Sequence, residues 1–536
     1  MAKAVLNRFA AAILFPLWLL VFPLVSLGGE KPVRGDSLVA ASLGDARILI
    51  PFLADDTASR EITRLVFSGL VRLDRDLNVV GELARSWETS ADNLIITFHL
   101  HPDLRWHDGH PLTAADVKFT FESILDPVHA CPYVGSYQDI DRIVVHDPLT
   151  ISFHYREPFA PAMTKMGMEI VPRHLLEGVE LRSSPFARSP VGSGPFRFKD
   201  WKTDEFIILD ANPDYFEGQP YLDRYVTRII PDQAVGYLEL ITGGVDLLGL
   251  SPYQYNFRSG APSFRRRCEK YKYPAGGFTY VGYNLNDPLF SDLRVRKALG
   301  MAIDKERIIE GLLFGLGEPV TGPFWKGTWS YNDEVQDLPY DPRGARRLLE
   351  EAGWEAGPDG LLRKDGLPFR FSLVTNQGNK LREDLAVLLQ RQWRSIGVRA
   401  DIQVVAWPTF LGEFIDKKNF QAVILAWTGT VDPDPYDVWH SDSTRPGGLN
   451  FISYRNPEVD ELIIQGRRTF DRNKRREIYH RVHELIAADQ PYTFLFTQYA
   501  LVAVDRRLRG LDPAPAGLTW NLNRWWVPEA EQSYRY

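Results

Sequence analysis

Residues 83–125 read LARSWETSADNLIITFHLHPDLRWHDGHPLTAADVKFTFESIL, and this stretch carries most of the information about the fold. Apolar and polar side chains alternate from Leu94 to Leu100, as in a strand with one apolar face. His107-Asp108-Gly109 has the composition of a tight turn, because Asp tolerates such a backbone and glycine permits positive φ. Thr113 and Asp116 have the spacing of a capping box, and apolar residues follow at helical spacing. The stretch therefore predicts a strand, a turn and a capped helix.

The size and composition predict a folded protein of several domains. The chain has 536 residues, which at roughly 150 residues per domain corresponds to about three domains. Hydrophobic residues make up 44% and charged residues 24%, as in ordinary globular proteins. The formal net charge is −7, which argues against a nucleic-acid partner because phosphate binding needs a concentrated basic surface.

Residues 1–28 have the pattern of an export signal. Lys3 and Arg8 form a short basic segment, and an uncharged apolar run follows from Phe9 to Leu27. The run is long for a signal, so an uncleaved inner-membrane anchor is the alternative. We expect a mature protein in a bacterial periplasm, without a lipid anchor because no cysteine lies near the cleavage site.

Cys131 and Cys268 are the two cysteines of the chain. In an oxidising compartment they could form a disulfide, and the sequence leaves this open because they fall in different predicted lobes. Two cysteines are too few for a cysteine-rich metal site.

The rest of the chain alternates helices and strands, which predicts an α/β class. A helix is predicted at residues 55–70, and strands at 370–375, 398–405 and 422–426. Helix N-caps are predicted at four positions with Asp, Asn or Ser: Ser291, Asp304, Asp341 and Asn456.

Several segments, in this order along the chain, resemble one family. Besides residues 83–125 they are GSGPFRF at 192–198, YVGYNLNDPLFSDLRVRKALGMAID at 280–304, YDPRGARRLLEEAGW at 340–354, and 449–463. Together they are similar to extracellular solute-binding protein family 5, the dipeptide-, oligopeptide- and nickel-binding proteins of ABC importers.

The resemblance implies a fold and a division into domains. The fold is an α/β, two-lobed periplasmic binding protein, type II-like, with an extra domain and three domains in all. Residues 29–82, 191–280 and 497–536 would form a discontinuous first domain. Residues 83–190 would form the second domain and 281–496 the third.

The resemblance also implies a function. The chain would bind a solute between its lobes, with a short peptide as the leading class, and deliver it to the membrane permease of an ABC importer. It would act as a monomer, without cofactor or resident metal and without catalysis. The alternatives are a nickel chelate, a sugar or an opine-like solute, or a sensor or chaperone-like binder on the same fold. No nucleotide-binding, zinc-protease or esterase motif supports an enzyme.

The resemblance departs from the peptide-binding pattern at one position. In peptide-binding members an Asp after a Trp-x-Gly segment pairs with the α-ammonium of the ligand, and here Thr430 stands in its place. A hydroxyl supplies no charge for a buried ammonium, which leaves peptide recognition in doubt. Asp432 or Asp434 could replace that Asp or could shape a turn.

Candidate ligand-binding residues follow strands or lie where the chain crosses between lobes. The candidates are Trp427, Thr428, Gly429, Thr430, Asp432, Trp407, Tyr283, Asn284, Gly194, Asp55 and Asp56. Four histidines, at 99, 101, 107 and 110, invite a metal site, but turn and strand histidines in this segment need no ligand, so we predict none.

Overall fold

The computed structural model describes residues 31–428 and 432–534. The predicted export signal and two site candidates, Gly429 and Thr430, lie outside the described residues. Within the two described ranges, no helix combines the length and apolar character that crossing a bilayer requires.

The first part of the chain forms seven strands and four helices. The strands are β1 Ser37–Ser42, β2 Val71–Leu73, β3 Val79–Gly81, β4 Ala84–Thr89, β5 Ile95–Leu100, β6 Ile140–Asp147 and β7 Thr150–Tyr155. The helices are α1 Thr57–Val66, α2 Ala114–Leu125, α3 Ala162–Lys165 and α4 Arg173–Leu176.

The middle part adds six strands and two helices. The strands are β8 Phe196–Lys202, β9 Phe206–Ala211, β10 Arg224–Ile229, β11 Leu247–Gly249, β12 Cys268–Pro274 and β13 Gly277–Tyr283. The helices are α5 Gln233–Thr242 and α6 Pro262–Arg267.

The remaining described part is richer in helices. Its helices are α7 Pro288–Ser291, α8 Leu293–Met301, α9 Lys305–Leu312, α10 Pro342–Glu351, α11 Lys380–Ser395, α12 Trp407–Thr409, α13 Tyr436–Trp439, α14 Pro457–Arg468 and α15 Arg472–Asp489. Its strands are β14 Gly317–Pro319, β15 Glu355–Ala356, β16 Leu362–Lys364, β17 Leu367–Pro368, β18 Arg370–Asn376, β19 Arg399–Val405, β20 Ala422–Thr428 and β21 Tyr492–Asp505.

One 12-stranded sheet runs through two lobes. Its main path has the order β19-β18-β20-β13-β21-β11-β1-β10-β9-β8, and β12 and β14 also pair with β21. The start of β21 pairs with β13, and its end pairs with β12 and β11. We call residues 31–274 and 499–534 the first lobe and residues 277–498 the second lobe. β21 therefore belongs to both lobes.

The first lobe contains a second, separate sheet. This antiparallel sheet has the order β4-β5-β7-β6, and its core is continuous with that of the large sheet. We propose that it forms the second domain at 83–190, as expected. The limits expected at 280 and 496 fall inside β13 and β21, where the chain passes between the lobes.

Local predictions in the opening stretch are confirmed. β5 covers the alternating residues, and Thr113 and Asp116 form a reciprocal capping box at the start of α2. The other three predicted caps, Asp304, Asp341 and Asn456, also begin their helices. Helix formation therefore follows from short-range side-chain to backbone hydrogen bonds at these positions.

Two helix boundaries differ from the prediction. The helix expected at 55–70 is α1, which ends at Val66 because Ser68 and Gly69 leave it to pair with the segment around Glu169 and Ile170. The prediction that Ser291 caps this helix is wrong. Asp292 caps α8 instead, because its carboxylate accepts the Arg294 backbone N–H at 2.9 Å.

The two cysteines are free and buried. The Cys131 thiol donates a hydrogen bond to the Phe52 carbonyl at 3.1 Å, and Cys268 lies in a different core. The disulfide that the sequence left open is therefore not formed.

Candidate functional site

Three parallel strands of the second lobe end at one edge of its sheet. β18 pairs in parallel with both β19 and β20. Asn376, Trp407 and Trp427 lie at or just after the ends of β18, β19 and β20. Ligands of open α/β sheets bind outside the carboxyl ends of strands, so this edge is the candidate binding edge.

The first lobe presents matching strand ends to this edge. β1 and β10 are parallel, and Gly44 and Pro231 follow their carboxyl ends. Gly44 packs on the ring of Trp407, where an added Cβ would lie 3.1 Å from the indole. Gly378 has φ of +85°, and a Cβ there would lie 1.9 Å from the Pro231 carbonyl oxygen. Only glycine permits this approach, so the strand ends of the two lobes face each other and touch at these points. We propose that the space beside these contacts is the ligand cleft.

Trp407 and Trp427 form aromatic walls at the second-lobe side of the cleft. Trp427 is half-buried, donates its indole N–H to the Tyr492 hydroxyl at 3.2 Å and stacks near Tyr280. Thr428, the next residue, is exposed. An anchored, half-buried indole is suited to cover an apolar part of a ligand.

Arg382 provides a positive charge close to the same edge. It lies in the first turn of α11 and donates to the Asn376 side-chain oxygen at 2.8 Å. Burial lowers the pKa of Arg382 to about 10, an effect that Tyr280 partly offsets. The Arg382 side chain is half-buried and has no carboxylate partner in the described part of the chain.

Helix α1 carries a charged face opposite its buried face. Ile62, Thr63 and Val66 pack into the first lobe. The side chains on the other face are Arg60, Glu61 and Arg64, which we call the charged face of α1. The charged face lies between two lines of interlobe contacts described below, so we infer that it faces the cleft.

Glu61 and Arg64 are accessible to water and at the same time surrounded by protein. Burial raises the pKa of Glu61 to about 7, and Arg64 offsets only part of this rise. Burial and the neighbouring Arg60 lower the pKa of Arg64. Neither side chain forms a hydrogen bond or ion pair with another described residue, and both keep exposed surface. We infer that these side chains line a water-filled space between protein walls, where their charges can meet a ligand.

One line of interlobe contacts runs beside the start of α1. Arg47 of the first lobe forms an ion pair with Asp416 of the second lobe at 2.8 Å and a longer one with Asp55 at 3.5 Å. Burial raises the pKa of Asp55 to about 6, against the effect of Arg47. Asp56 is buried and caps α1 through the Ser59 N–H and hydroxyl. Asp55 thus lies at the rim of the cleft, whereas Asp56 is engaged in the helix cap.

The other line of contacts is an interlobe ion cluster of Asp434, Arg467 and Lys165. Arg467 lies 3.2 Å from Asp434, and Lys165 of the first lobe lies 3.4 Å from the same carboxylate. The Asp434 side chain is fully buried and that of Arg467 is 2% exposed. The Arg467 guanidinium also donates to the Gly135 carbonyl at 2.6 Å, and the Arg467 carbonyl accepts the Ala160 N–H at 2.7 Å.

Asp432 is held by a different arginine. Arg475 donates two parallel hydrogen bonds to the Asp432 carboxylate, at 2.6 and 2.7 Å. Both acidic residues that could have replaced an Asp at Thr430 are therefore engaged with arginines of the second lobe. The Asp434 carboxylate also accepts the Tyr436 N–H at 3.3 Å, so its predicted turn-forming role holds beside its ion pair.

Gly194 has a packing role at the end of α1. A Cβ at Gly194 would lie 2.6 Å from the Leu65 carbonyl oxygen, and its N–H donates to the Val66 carbonyl at 2.8 Å. The half-buried ring of His107 contacts the Gly194 carbonyl at 3.0 Å. Gly194 therefore positions α1, and through it the charged face.

Tyr283 and Asn284 are not brought to the cleft. β13 is antiparallel to β20, so Tyr283 lies opposite Ala422 at the start of β20, whereas Gly277 lies opposite Thr428. Six residues of strand separate the two ends by about 20 Å. Tyr283 is fully buried and bonds Thr493, and the Asn284 amide donates to the Lys418 and Phe420 carbonyls. The site we propose does not include them.

The sequence did not single out the charged face of α1 or Arg382. Helical periodicity identifies which face of α1 is apolar, but a charged opposite face looks the same in water and in a cleft. The one signal in the sequence is position, since α1 directly follows the predicted site residues Asp55 and Asp56.

Comparisons with known proteins agree with this architecture. A sequence profile of the bacterial extracellular solute-binding proteins, family 5 Middle, matches residues 78–448. The oligopeptide-binding protein AppA of Bacillus subtilis is 33% identical, over 93% of this chain and 92% of AppA. The structure of that protein in complex with a nonapeptide matches with a TM-score of 0.89 at 32% identity, covering 93% of this chain and all of the other.

A second solved structure carries a different ligand. NikZ from Campylobacter jejuni in complex with Ni(L-His) matches with a TM-score of 0.84 at 26% identity, over 92% of this chain and 99% of NikZ. The TM-scores show that these structures and this chain share one mixed α/β fold. The chain belongs to the bacterial extracellular solute-binding proteins of family 5.

Proposed function

We propose that this protein captures short peptides in the cleft between its lobes and presents them to the permease of an ABC importer. The observation that carries the proposal is the charged face of α1. It presents a carboxylate and a guanidinium, neither paired with another described residue, on one water-accessible face of one helix. A relative that is similar over nearly the whole chain was solved with a nonapeptide, which supports the same ligand class.

A peptide carries an ammonium at one end and a carboxylate at the other. Glu61 supplies a carboxylate for an ammonium, and Arg64 and Arg382 supply guanidinium groups for a carboxylate or for backbone carbonyls. Charge-assisted hydrogen bonds of this kind are about twice as strong as neutral ones. The aromatic walls at Trp407 and Trp427 then cover the side chains of the peptide without selecting one kind of side chain over another.

The proposal answers the doubt raised by Thr430. Asp432 and Asp434 are held by Arg475 and Arg467, so neither is free to bind an ammonium. Glu61 approaches from the first lobe and takes that role. Ammonium recognition would then depend on closure of the lobes, because the carboxylate and the aromatic walls belong to different lobes.

A nickel chelate is the second candidate for the ligand, and one observation makes it less favoured than a peptide. Nickel sites favour imidazole ligands. Among the described residues that we assign to the cleft, none is a histidine. The proposed site also includes the consecutive residues Trp427, Thr428, Gly429 and Thr430. They are assigned to it because they stand at the end of β20 in the sequence.

The cellular setting follows from the family. We infer that the chain is exported by residues 1–28, works in the periplasm as a monomer and contacts the permease in its closed state. We also infer that it transforms no substrate, because binding, closure and release need no bond to be made or broken.

Binding of matched peptides tests the proposal. The mature protein is titrated calorimetrically with an unselected pool of nonapeptides, with the same pool N-acetylated, and with a nickel–histidine complex. We expect heat of binding for the free pool and at least about tenfold weaker binding after acetylation, because acetylation removes the ammonium charge. Equal binding of both pools would contradict the role of Glu61. Binding of the nickel complex alone would replace the peptide assignment.

A further inference from the structure

The turn after β5 exposes two potential metal ligands. Gly109 adopts φ of +89°, and its N–H donates to the Trp106 carbonyl at 2.9 Å. His107 points inward, where its ring meets the backbone of Gly192 and Gly194. Asp108 and His110 therefore lie on the outer side of the turn, and both are exposed.

A third ligand reaches this turn from helix α4, more than sixty residues later. His174 Nε2 lies 2.8 Å from Asp108 Oδ2, and His110 Nδ1 lies 3.2 Å from Asp108 Oδ1. The two imidazole rings stack with centroids 4.3 Å apart. Each oxygen of one carboxylate thus faces a different histidine. The ligand atoms of all three residues lie within 4.8 Å of one another.

We propose that Asp108, His110 and His174 form a surface site for a divalent transition-metal ion of the zinc type. Two imidazoles and one carboxylate are a ligand set that zinc accepts, with a water completing the tetrahedron. Donors placed about 2.0–2.1 Å from a zinc ion lie about 3.3–3.4 Å from one another in tetrahedral geometry. The distance of 3.2 Å from Asp108 to His110 is close to this spacing, and the hydrogen bond of 2.8 Å to His174 would lengthen by about half an ångström to admit the ion.

The supports of the three ligands are rigid. The Arg173 N–H donates to Asp116 in α2 at 3.0 Å, and Leu176 is buried, so α4 is fixed against the second domain. The Asp108 Oδ1 atom also accepts the His110 backbone N–H at 3.1 Å, which holds the carboxylate in the turn. Preorganised ligands lose little freedom when they bind an ion.

This site is separate from the solute cleft. All three ligands belong to the second domain, whereas the cleft lies between α1 and the strand ends of the second lobe. A bound ion would join the turn to α4 and stabilise the second domain, because the unfolded chain does not hold the three ligands together. Its role would be structural and independent of the transported solute.

Zinc titration of the full mature protein tests the inference. After treatment with a chelator and buffer exchange, ZnCl2 is titrated into the unaltered protein, Asp108→Asn, His174→Ala and His129→Ala. His129 is a partly exposed histidine of the same domain whose ring forms no ion pair or hydrogen bond with a carboxylate of the described residues, and it serves as the matched control. We expect one zinc ion per chain in the unaltered protein and in His129→Ala. In the other two variants the affinity should fall at least about tenfold, since even the loss of an outer-shell partner costs that much.

A second measurement separates metal binding from folding. Zinc should raise the melting temperature of the unaltered protein and of His129→Ala, and leave that of Asp108→Asn and His174→Ala unchanged. Asp108→Asn keeps the turn hydrogen bond, so it carries the test if His174→Ala does not fold. Zinc affinity that is the same in Asp108→Asn as in the unaltered protein, or no zinc binding by the unaltered protein, overturns the inference.

Discussion

Two groups of charged side chains lie near the contact between the lobes, and they differ in their partners. In the interlobe ion cluster, Asp434 and Arg467 are buried and face each other, and Lys165 adds a second cation. On the charged face of α1, Glu61 and Arg64 are enclosed by protein but have no described partner. Enclosed charges are costly unless they are compensated, so the first group holds structure together and the second awaits a ligand.

The protonation of the two carboxylates reflects this difference. Burial would raise the pKa of Asp434, but Arg467 and Lys165 outweigh it and hold that pKa below its usual range. Burial raises the pKa of Glu61 to about 7, because Arg64 offsets it only in part. Burial favours the protonated form of both carboxylates. The pKa of Asp434 is nevertheless lowered because several cations lie close to it, whereas the pKa of Glu61 is raised because only Arg64 does.

The largest effect is expected when the interlobe ion cluster is broken. Arg467→Ala leaves the Asp434 carboxylate buried without its main partner, which should lower the free energy of unfolding by about 3–5 kcal/mol. Urea unfolding measures this change. Arg468→Ala is the control, since Arg468 pairs with Glu157 and is 53% exposed, and it should cost less than about 1 kcal/mol. Equal losses of unfolding free energy in the two variants would show that the buried cluster stabilises the protein no more than an ordinary surface ion pair.

The next effect concerns ligand affinity rather than stability. Arg64→Ala removes a guanidinium that no described residue engages, so the free energy of unfolding should hardly change. Peptide affinity should fall about 10- to 100-fold, the range for loss of a charged hydrogen bond. Calorimetry measures the affinity, and Arg85→Ala, an exposed site on β4 outside the cleft, should leave it unaltered. A stable Arg64→Ala protein with full affinity would remove Arg64 from the site.

A smaller effect is expected in the pH dependence of stability. The folded pKa of Glu61 is about 7, above its ordinary value, so between these two values the folded state keeps a proton that the unfolded state has lost. This contribution therefore lowers stability as the pH rises from about 4 to about 7, by up to about 1 kcal/mol because water still reaches the side chain. Glu61→Gln should abolish the contribution.

Urea unfolding at pH 5 and pH 8 compares the unaltered protein with Glu61→Gln. The variant should gain stability relative to the unaltered protein at the higher pH. Glu88→Gln, at an exposed position of β4, should show no such gain. A parallel pH dependence in the unaltered protein and Glu61→Gln would mean that Glu61 is not enclosed.

The smallest effect is expected at the rim of the cleft. Arg47→Ala removes the accessible pair with Asp416 and should change the free energy of unfolding by less than about 1 kcal/mol. Because the pair joins the lobes, the ligand should nevertheless dissociate faster, which stopped-flow fluorescence measures. Arg75→Ala breaks a comparable pair with Asp512 inside the first lobe and should leave dissociation unchanged. Equal dissociation rates in both variants would exclude a role of the rim in closure.

The parts of the fold that could be predicted are formed by contacts between residues close together in the sequence. The capping box at Thr113 and Asp116 and the Asn456-Pro457 cap act over three residues, so the sequence shows them directly. The position of Trp407 and Trp427 after strands was likewise predictable from strand patterns and the rule for α/β edges.

The site itself depends on contacts that no local pattern contains. Asp432 and Asp434 are engaged by arginines 43 and 33 residues away. The position of Tyr283 at a predicted crossover between lobes indicates a binding residue. Because β13 is antiparallel to β20, Tyr283 lies instead at the edge of the sheet opposite the candidate binding edge. His174 is 66 residues from Asp108, so a histidine search within one segment does not reach it.

The strand β21 has a consequence for engineering. Its 14 residues lie between β13 and β11 in the large sheet and also pair with β12 and β14. A truncated chain that keeps only one lobe would uncover the edges of those strands, and bare strand edges recruit other chains. Reporter proteins for a biosensor therefore belong in surface loops of the intact chain, and not at a cut between separately produced halves.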